Sequence, residues 1–393
     1  MKYPLTALAS ATIGAWIALT PVPAAAAATA WEPWQAVKGV FDVGGPRSDG
    51  SFVVAGSAAL YLVDAAGHQT PFARGPGGYH EDPGAEAYLA VSPGGDVAAA
   101  ECSFTPDETF VLRLHVPLGI TRVNAAGDET GSFANLPGVT SLSGIAFDTF
   151  GSFDHRLLVT GAAGGKTTLF AIDCSGAVTI ITRSAPVLEG GFAVAPSTFG
   201  SFAGALIAPD ELSGKIYAIA RDGKVSTVAR PSLPTGGDIG VESLAFVPQG
   251  LLSRGGAAYY ADRLTPGSPH PGSDHVLRLT SDNIAGAGVQ EGDMLVATEG
   301  GASLIAIRCQ SSCTTVPVVG APTKAHGEGH IAFTVSAPAS SPTPVQAAAL
   351  KKPLVPLALV DFAGQWGIPT AVFALLLALI LALAVQAFRH RAK

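Results

Sequence analysis

Residues 143–183 read SGIAFDTFGSFDHRLLVTGAAGGKTTLFAIDCSGAVTIITR. Four apolar runs are cut apart here by turn residues: SGIAF, RLLVTG, TTLFAID and AVTIITR. Runs of this length, bounded by Gly, Asp and Ser, are expected to be strands joined by hairpin turns. Part of the stretch comes back. FDTFGSF, from Phe147, reappears as PSTFGSF, from Pro196, 49 positions later.

The rest of the unit also recurs. Hairpin patterns begin at Leu60 (LYLVDAAGHQTPFAR), Ile120 (ITRVNAAGDETGSFA), Leu169, Ile216 (IYAIARDGKVSTVAR), Val276 (VLRLTSDNIAG) and Leu304 (LIAIRCQSSCTTVPV). Between them lie short apolar strands: AEAYLAVSP ending at Pro93, GGFAVAPSTFG at Gly200 and ESLAFVP at Pro248. Four strands at a period of about fifty residues are the sequence sign of a β-propeller. Residues 31–335 hold about six such units, so the expected fold is all-β, a six-bladed β-propeller. Between Leu279 and Asp293 no inner strand is visible, and a strand near His330 (HIAF) follows the last hairpin. That strand is expected to close the ring by joining the first blade, which removes exposed sheet edges.

The motifs GIAFDTFG, EGGFAVAP, GVESLAFVP and the hairpin LFAIDCSG give the body a resemblance to the gluconolactonase/regucalcin-like and NHL-like six-bladed propellers. The resemblance implies blade architecture. It also implies a metal at the channel mouth, held in the gluconolactonase-like relatives by a mixture of acidic and Asn ligands. Matching Asn residues are missing from the inner-strand starts of this chain.

The short strands align on a shared alanine: Ala90, Ala146, Ala193, Ala245 and Ala332. Four places earlier stand Glu86, Leu142, Glu189, Val241 and Glu328, with Glu242 one place late in the fourth copy. In a propeller these strands line the central channel, so their ends converge on the axis. Clustered carboxylates repel one another unless protons or a cation relieve them. Glu86, Glu189, Glu242 and Glu328 are therefore candidate ligands for calcium or another divalent cation. His330 lies on the same face as Glu328 at period two, and is a candidate counter-charge or transition-metal ligand. A residue repeated in most blades also suits a structural role at each blade junction.

Two polar loops break the repeat and are candidate ligand-binding elements, since loops on a rigid scaffold carry function. GGYHEDPGAE (77–86) offers His80 and Glu81. DRLTPGSPHPGSDH (262–275) offers Asp262, His270, Asp274 and His275, and His326 stands before the last strand. Asp210 and Glu211 in APDELSG are expected to form a turn and capping pair. GAAGGKTT (161–168) imitates a phosphate-binding loop, but its spacing is short and a strand pattern follows where a helix is needed. It reads as a hairpin turn.

The chain has 393 residues, 48% hydrophobic, 13% charged, with 47 Gly and 29 Pro and a net charge of −7. This acidic balance offers no basic cluster of the kind nucleic acid requires. Residues 1–30 show the three parts of a secretory signal peptide. Residues 336–365 are a Pro/Ala-rich linker, and 366–388 form an uncharged stretch long enough to cross a bilayer as a helix. Arg389, His390, Arg391 and Lys393 follow as a basic cytoplasmic tail at 389–393. The expected topology is single-pass in the cell membrane, with the propeller on the extracytoplasmic side. Disulfides persist there. Cys309 and Cys313 flank QSS and suit a hairpin staple, with Cys102 and Cys174 as the other bridge; two other pairings are open to four cysteines.

The expected function is binding of a small-molecule or protein ligand at the channel mouth, with a divalent cation as the expected cofactor. A metal-dependent hydrolase of the lactonase type is the alternative. A quinone-dependent sugar dehydrogenase-like enzyme is a second alternative, without a cofactor signature of its own.

Overall fold

Period-two apolar runs become six four-stranded antiparallel sheets in the computed structural model. It describes residues 29–338 apart from 76, 82–84 and 321–322. The expected signal peptide, the linker beyond 338, the transmembrane segment and the tail lie outside the described residues. Among the described residues no helix is long and apolar enough to cross a membrane.

The first four blades follow chain order, inner strand first. Blade 1 runs from Asp42–Gly44 through Phe52–Gly56 and Ala59–Val63 to Gln69–Phe72. Blade 2 pairs Leu89–Val91, Thr109–Arg113, Gly119–Val123 and Thr130–Asn135, with a small hairpin (Gly95–Val97, Cys102–Phe104) inserted after its inner strand. Blade 3 uses Ser141–Phe147, Leu157–Ala163, Lys166–Ile172 and Val178–Ala185, and blade 4 uses Ala193–Val194, Leu206–Asp210, Lys215–Ile219 and Val225–Ala229. The phosphate-loop imitation is a two-residue hairpin turn: Ala163 pairs with Lys166 across Gly164 and Gly165, whose φ values of +59° and +70° suit the turn.

Blades 5 and 6 exchange chain segments. Blade 5 starts with Val241–Phe246, but its next strand is Met294–Thr298, followed by Leu304–Cys309 and Cys313–Val319. The intervening strands Gly256–Asp262 and His275–Thr280 form the middle of blade 6. Its inner strand is Gly327–Val335, and its outer strand is the N-terminal Glu32–Ala36. The hairpin that begins at Val276 thus belongs to blade 6 and the one at Leu304 to blade 5, the reverse of chain order. The expectation that the strand near His330 joins the first blade is corrected. It hydrogen-bonds to Gly256–Asp262 and stands between the inner strands of blades 5 and 1 in the ring. No inner strand was visible between Leu279 and Asp293 because the chain makes a helix there, Ser281–Gly286, with the Thr280 hydroxyl accepting from Asn283 N.

Apolar side chains between adjacent blades form the core, and they carry the hydrophobic gain of folding. Leu251, Leu279, Ile284, Val289 and Leu295 pack together where blades 5 and 6 interlock. Trp31 fixes the N-terminal strand there: its indole N–H donates to Ala302 O at 2.9 Å and its ring lies 5.9 Å from that of Tyr260. Both cysteine bridges form. Cys102–Cys174 ties the blade 2 insertion to a turn of blade 3, and Cys309–Cys313 closes a hairpin of blade 5.

Candidate functional site

Six inner strands side by side make a channel with two unlike ends. At one end lies a cavity of about 360 Å³ lined by Ala90, Ala146, Ala193, Ala245 and Ala332, the residues on which the strands align. His330 is in its wall. At the other end the strands begin, and their carboxylates gather.

Glu86, Glu242 and Glu328 meet through two shared partners. The Arg263 guanidinium donates to Glu86 and, at 3.1 Å, to Glu328. The Tyr88 hydroxyl lies 2.9 Å from Glu242 and 3.3 Å from Glu328. Glu189 belongs to the same group: burial raises its pKa, and the charges of Glu86 and Glu299 add to the rise. The four glutamates expected from the inner strands are therefore together, from blades 2, 4, 5 and 6.

Two more acids come from the ends of second strands. Glu299 follows Met294–Thr298, and Glu211 follows Leu206–Asp210. Because the second strand of a blade runs antiparallel to the first, its last residue arrives beside the first strand's start. Glu211, read from sequence as part of a turn pair, stands beside Glu299. Burial, then the neighbouring Glu299 carboxylate, push its pKa up to about 9. Burial also raises Glu242 well above the usual range, followed by the charges of Glu328, Glu299 and Glu189.

His326 is the centre of the group. Its Nε2 is 2.9 Å from Glu299 Oε1 and 3.5 Å from Glu328 Oε1. Burial alone would depress its pKa, but the two carboxylates outweigh it and push it up to about 10. Glu328 is pushed up to about 7, by burial first, against the opposing His326 bond. The backbone holds this arrangement in place. Asp262 accepts from His326 N at 2.8 Å, Arg263 N donates to His326 O, and Gly327 N donates to Glu299 O.

The ligand atoms of Glu299, His326 and Glu328 lie within 4.8 Å of one another and all three residues are buried. Donors around a zinc-sized ion stand roughly 3–3.5 Å apart, so the set fits a metal with small shifts. Two buried polar atoms of the group, His326 Nδ1 and Glu211 Oε1, have no hydrogen-bond partner among the described residues. Each such buried group costs roughly 1–3 kcal/mol unless something satisfies it.

His330 differs from its expected role. Its Nδ1 meets Asp42 at 2.9 Å and its Nε2 meets Ile145 O at 2.7 Å, which leaves neither nitrogen for a metal. Period two placed it beside Glu328, but Gly329 between them has φ +69° and breaks the extended backbone. His326, across Gly327, takes the place beside the carboxylates.

The expected loop residues divide. Asp262 braces His326. Asp274 accepts from Leu264 N at 2.9 Å and His275 Nδ1 meets Ser273 O at 2.7 Å within the loop, while His270 Nδ1 meets Thr323 O at 2.7 Å and ties the loop to the segment before the last strand. Glu81 pairs with His115 at 3.1 Å, and His80 is exposed. Sequence reasoning missed Arg263, Glu299 and Tyr88. For the first two the signal was present, as charged residues closing AAYYADR and DMLVATE.

No family model and no curated protein matches the chain. Solved structures similar to it include virginiamycin B lyase from Staphylococcus aureus, at 13% identity over 76% of this chain and 92% of that one, TM-score 0.40. A streptogramin B lyase covers 78% and 95% at 14% identity, TM-score 0.39. A gluconolactonase from Xanthomonas campestris covers 59% and 69% at 15% identity, TM-score 0.35. The six-bladed architecture rests on the strand pairing itself.

Proposed function

We propose that the protein is a cation-dependent propeller that binds a small ligand at the acidic end of its channel. The observation that carries this reading is the convergence of Glu299, His326 and Glu328 on one buried point, with Glu86, Glu189, Glu211 and Glu242 around it. Only Arg263 and His326 oppose those carboxylates in the contacts described. A cation supplies the missing positive charge and, with an open coordination position, a point of attachment for a ligand oxygen. Glu86 and Glu189, less buried than the triad, stand where such a ligand enters. The membrane reading accompanies this one: export by residues 1–30 and anchoring by 366–388 place the site outside the cell.

Hydrolysis of the lactonase type is the second reading. Its support is Glu189, whose half-buried carboxyl and burial-raised pKa suit a general base beside a cation.

Metal analysis of the purified full chain tests the proposal. About one equivalent of cation is expected per chain, and Glu299→Gln should lose most of it while keeping the wild-type circular dichroism spectrum. Metal content near zero in the wild type after supplementation with divalent cations would overturn the reading. Turnover of lactones by the same preparation decides between binding and hydrolysis.

A further inference from the structure

We infer that the end of the channel away from the acids is a second binding site, which takes a neutral aromatic small molecule and needs no cation.

The repeat itself leaves the space. Ala90, Ala146, Ala193, Ala245 and Ala332 hold one register position in five inner strands. The residues just before them, Leu89, Ile145, Phe192, Leu244 and Ile331, are large and buried. A ring that needed only a packed axis would fill the alanine position too, since interiors are close-packed. The five small side chains instead line the cavity of about 360 Å³. A cavity of about 440 Å³ beside it shares Ala146, Phe147, Thr149, Ala193 and Ala245. Small-molecule sites are mainly apolar spaces of roughly 300–1,000 Å³. Tyr88 and His330 stand between this space and the acids: their rings are 6.2 Å apart, His330 is in the cavity wall, and the Tyr88 hydroxyl meets Glu242. The two ends of the channel are therefore separate sites.

The chemistry of the wall names the ligand. Among the described residues, no Asp, Glu, Lys or Arg lines either cavity. His330 does, but Asp42 and Ile145 O already hold both its nitrogens. A charged ligand would lose its water there and gain no counter-charge. Phe147 and Phe192 line the inner space, and Phe150, Phe246 and Phe333 the outer one. Their rings favour an aromatic partner beyond the area it buries. Thr149 and Gln249, exposed at the rim, offer uncharged hydrogen-bonding groups that orient it. Another apolar groove, beside the exposed Val116 of blade 2, is formed by two short surface segments and lies apart from the axis. It serves as the control.

The test titrates the full chain, in the presence of a chelator, with two fluorescent probes of one ring skeleton: neutral N-phenylnaphthylamine and the sulfonated anilinonaphthalene sulfonate. Only saturable binding is counted. Wild type is expected to take one neutral probe, and to take the sulfonate at least about ten-fold more weakly. Ala193→Leu and Ala146→Leu fill the space, and each should weaken the neutral probe by about ten-fold or more. Val116→Ser should bind it as wild type does. Melting curves confirm that each variant is folded; if one filled variant is not, the other decides, and the comparison of the two probes needs no variant. The inference is overturned if wild type shows no saturable site for the neutral probe, if the sulfonate binds as tightly, if the folded filled variants bind like wild type, or if Val116→Ser loses the site. Loss of neutral-probe binding in chelator, with recovery on adding a divalent cation, would overturn it as well.

Discussion

His330 and Glu328 sit two residues apart on one strand and serve opposite ends of the channel. His330 is paired with Asp42, which also accepts from Val43 N, Leu89 N and His330 N, all within 2.8 Å. The imidazole Nε2 adds a bond to Ile145 O. Blades 1, 2, 3 and 6 are thereby joined at the axis by one ion pair. Burial would lower the His330 pKa, but the Asp42 charge overcomes it and raises the value. Removing one partner strands the other in a dry interior. His330→Ala is expected to cost about 3–5 kcal/mol, read as a lower denaturation midpoint at unchanged slope. A cost under about 1 kcal/mol would show that the pair is not what holds the axis. At this scale the sequence made the inner-strand acids legible, because a shared alanine set the register for Glu86, Glu189, Glu242 and Glu328. It hid the His326–His330 distinction, since a positive φ at Gly329 leaves no trace in a period-two pattern.

At the scale of elements, the exchange between blades 5 and 6 was invisible for a related reason. Each hairpin carries the same alternation, and alternation reports which face is buried but not which sheet is joined. The choice is made by long-range packing of Leu251, Leu279, Ile284 and Leu295. The two disulfides were easier to anticipate, yet their energetic weights differ. Cys102 and Cys174 are 72 positions apart, and Cys309 and Cys313 only 4. In the loop-entropy description a closed loop of the first length constrains the unfolded chain by about 4 kcal/mol and one of the second by about 2 kcal/mol. Replacing the Cys102–Cys174 pair by serines should therefore lower stability about twice as much as replacing Cys309–Cys313. Equal effects in denaturant titrations would contradict that ordering.

For the whole molecule, the ring gathers acids from blades 2, 4, 5 and 6 that lie far apart in sequence. Without a cation, the crowded groups keep protons that the unfolded chain releases. The pKa values of Glu328 and Glu211 are raised to about 7 and about 9, and that of His326 to about 10. A raised folded pKa gives stability that is complete below the unfolded value and is lost as pH climbs through the folded one. The losses begin above the unfolded carboxyl range near pH 4.5 and extend to about pH 10. A bound cation replaces those protons, and its affinity grows as they leave. The most direct measurement is the unfolding free energy of the full chain from pH 5 to pH 9, with a chelator and with excess zinc. The expected chelator curve falls with pH, by about 1.4 kcal/mol per unit for each extra proton held, and the gap that zinc opens above it widens toward pH 9. A chelator curve that stays flat or rises, with zinc making no difference at any pH, would contradict the account.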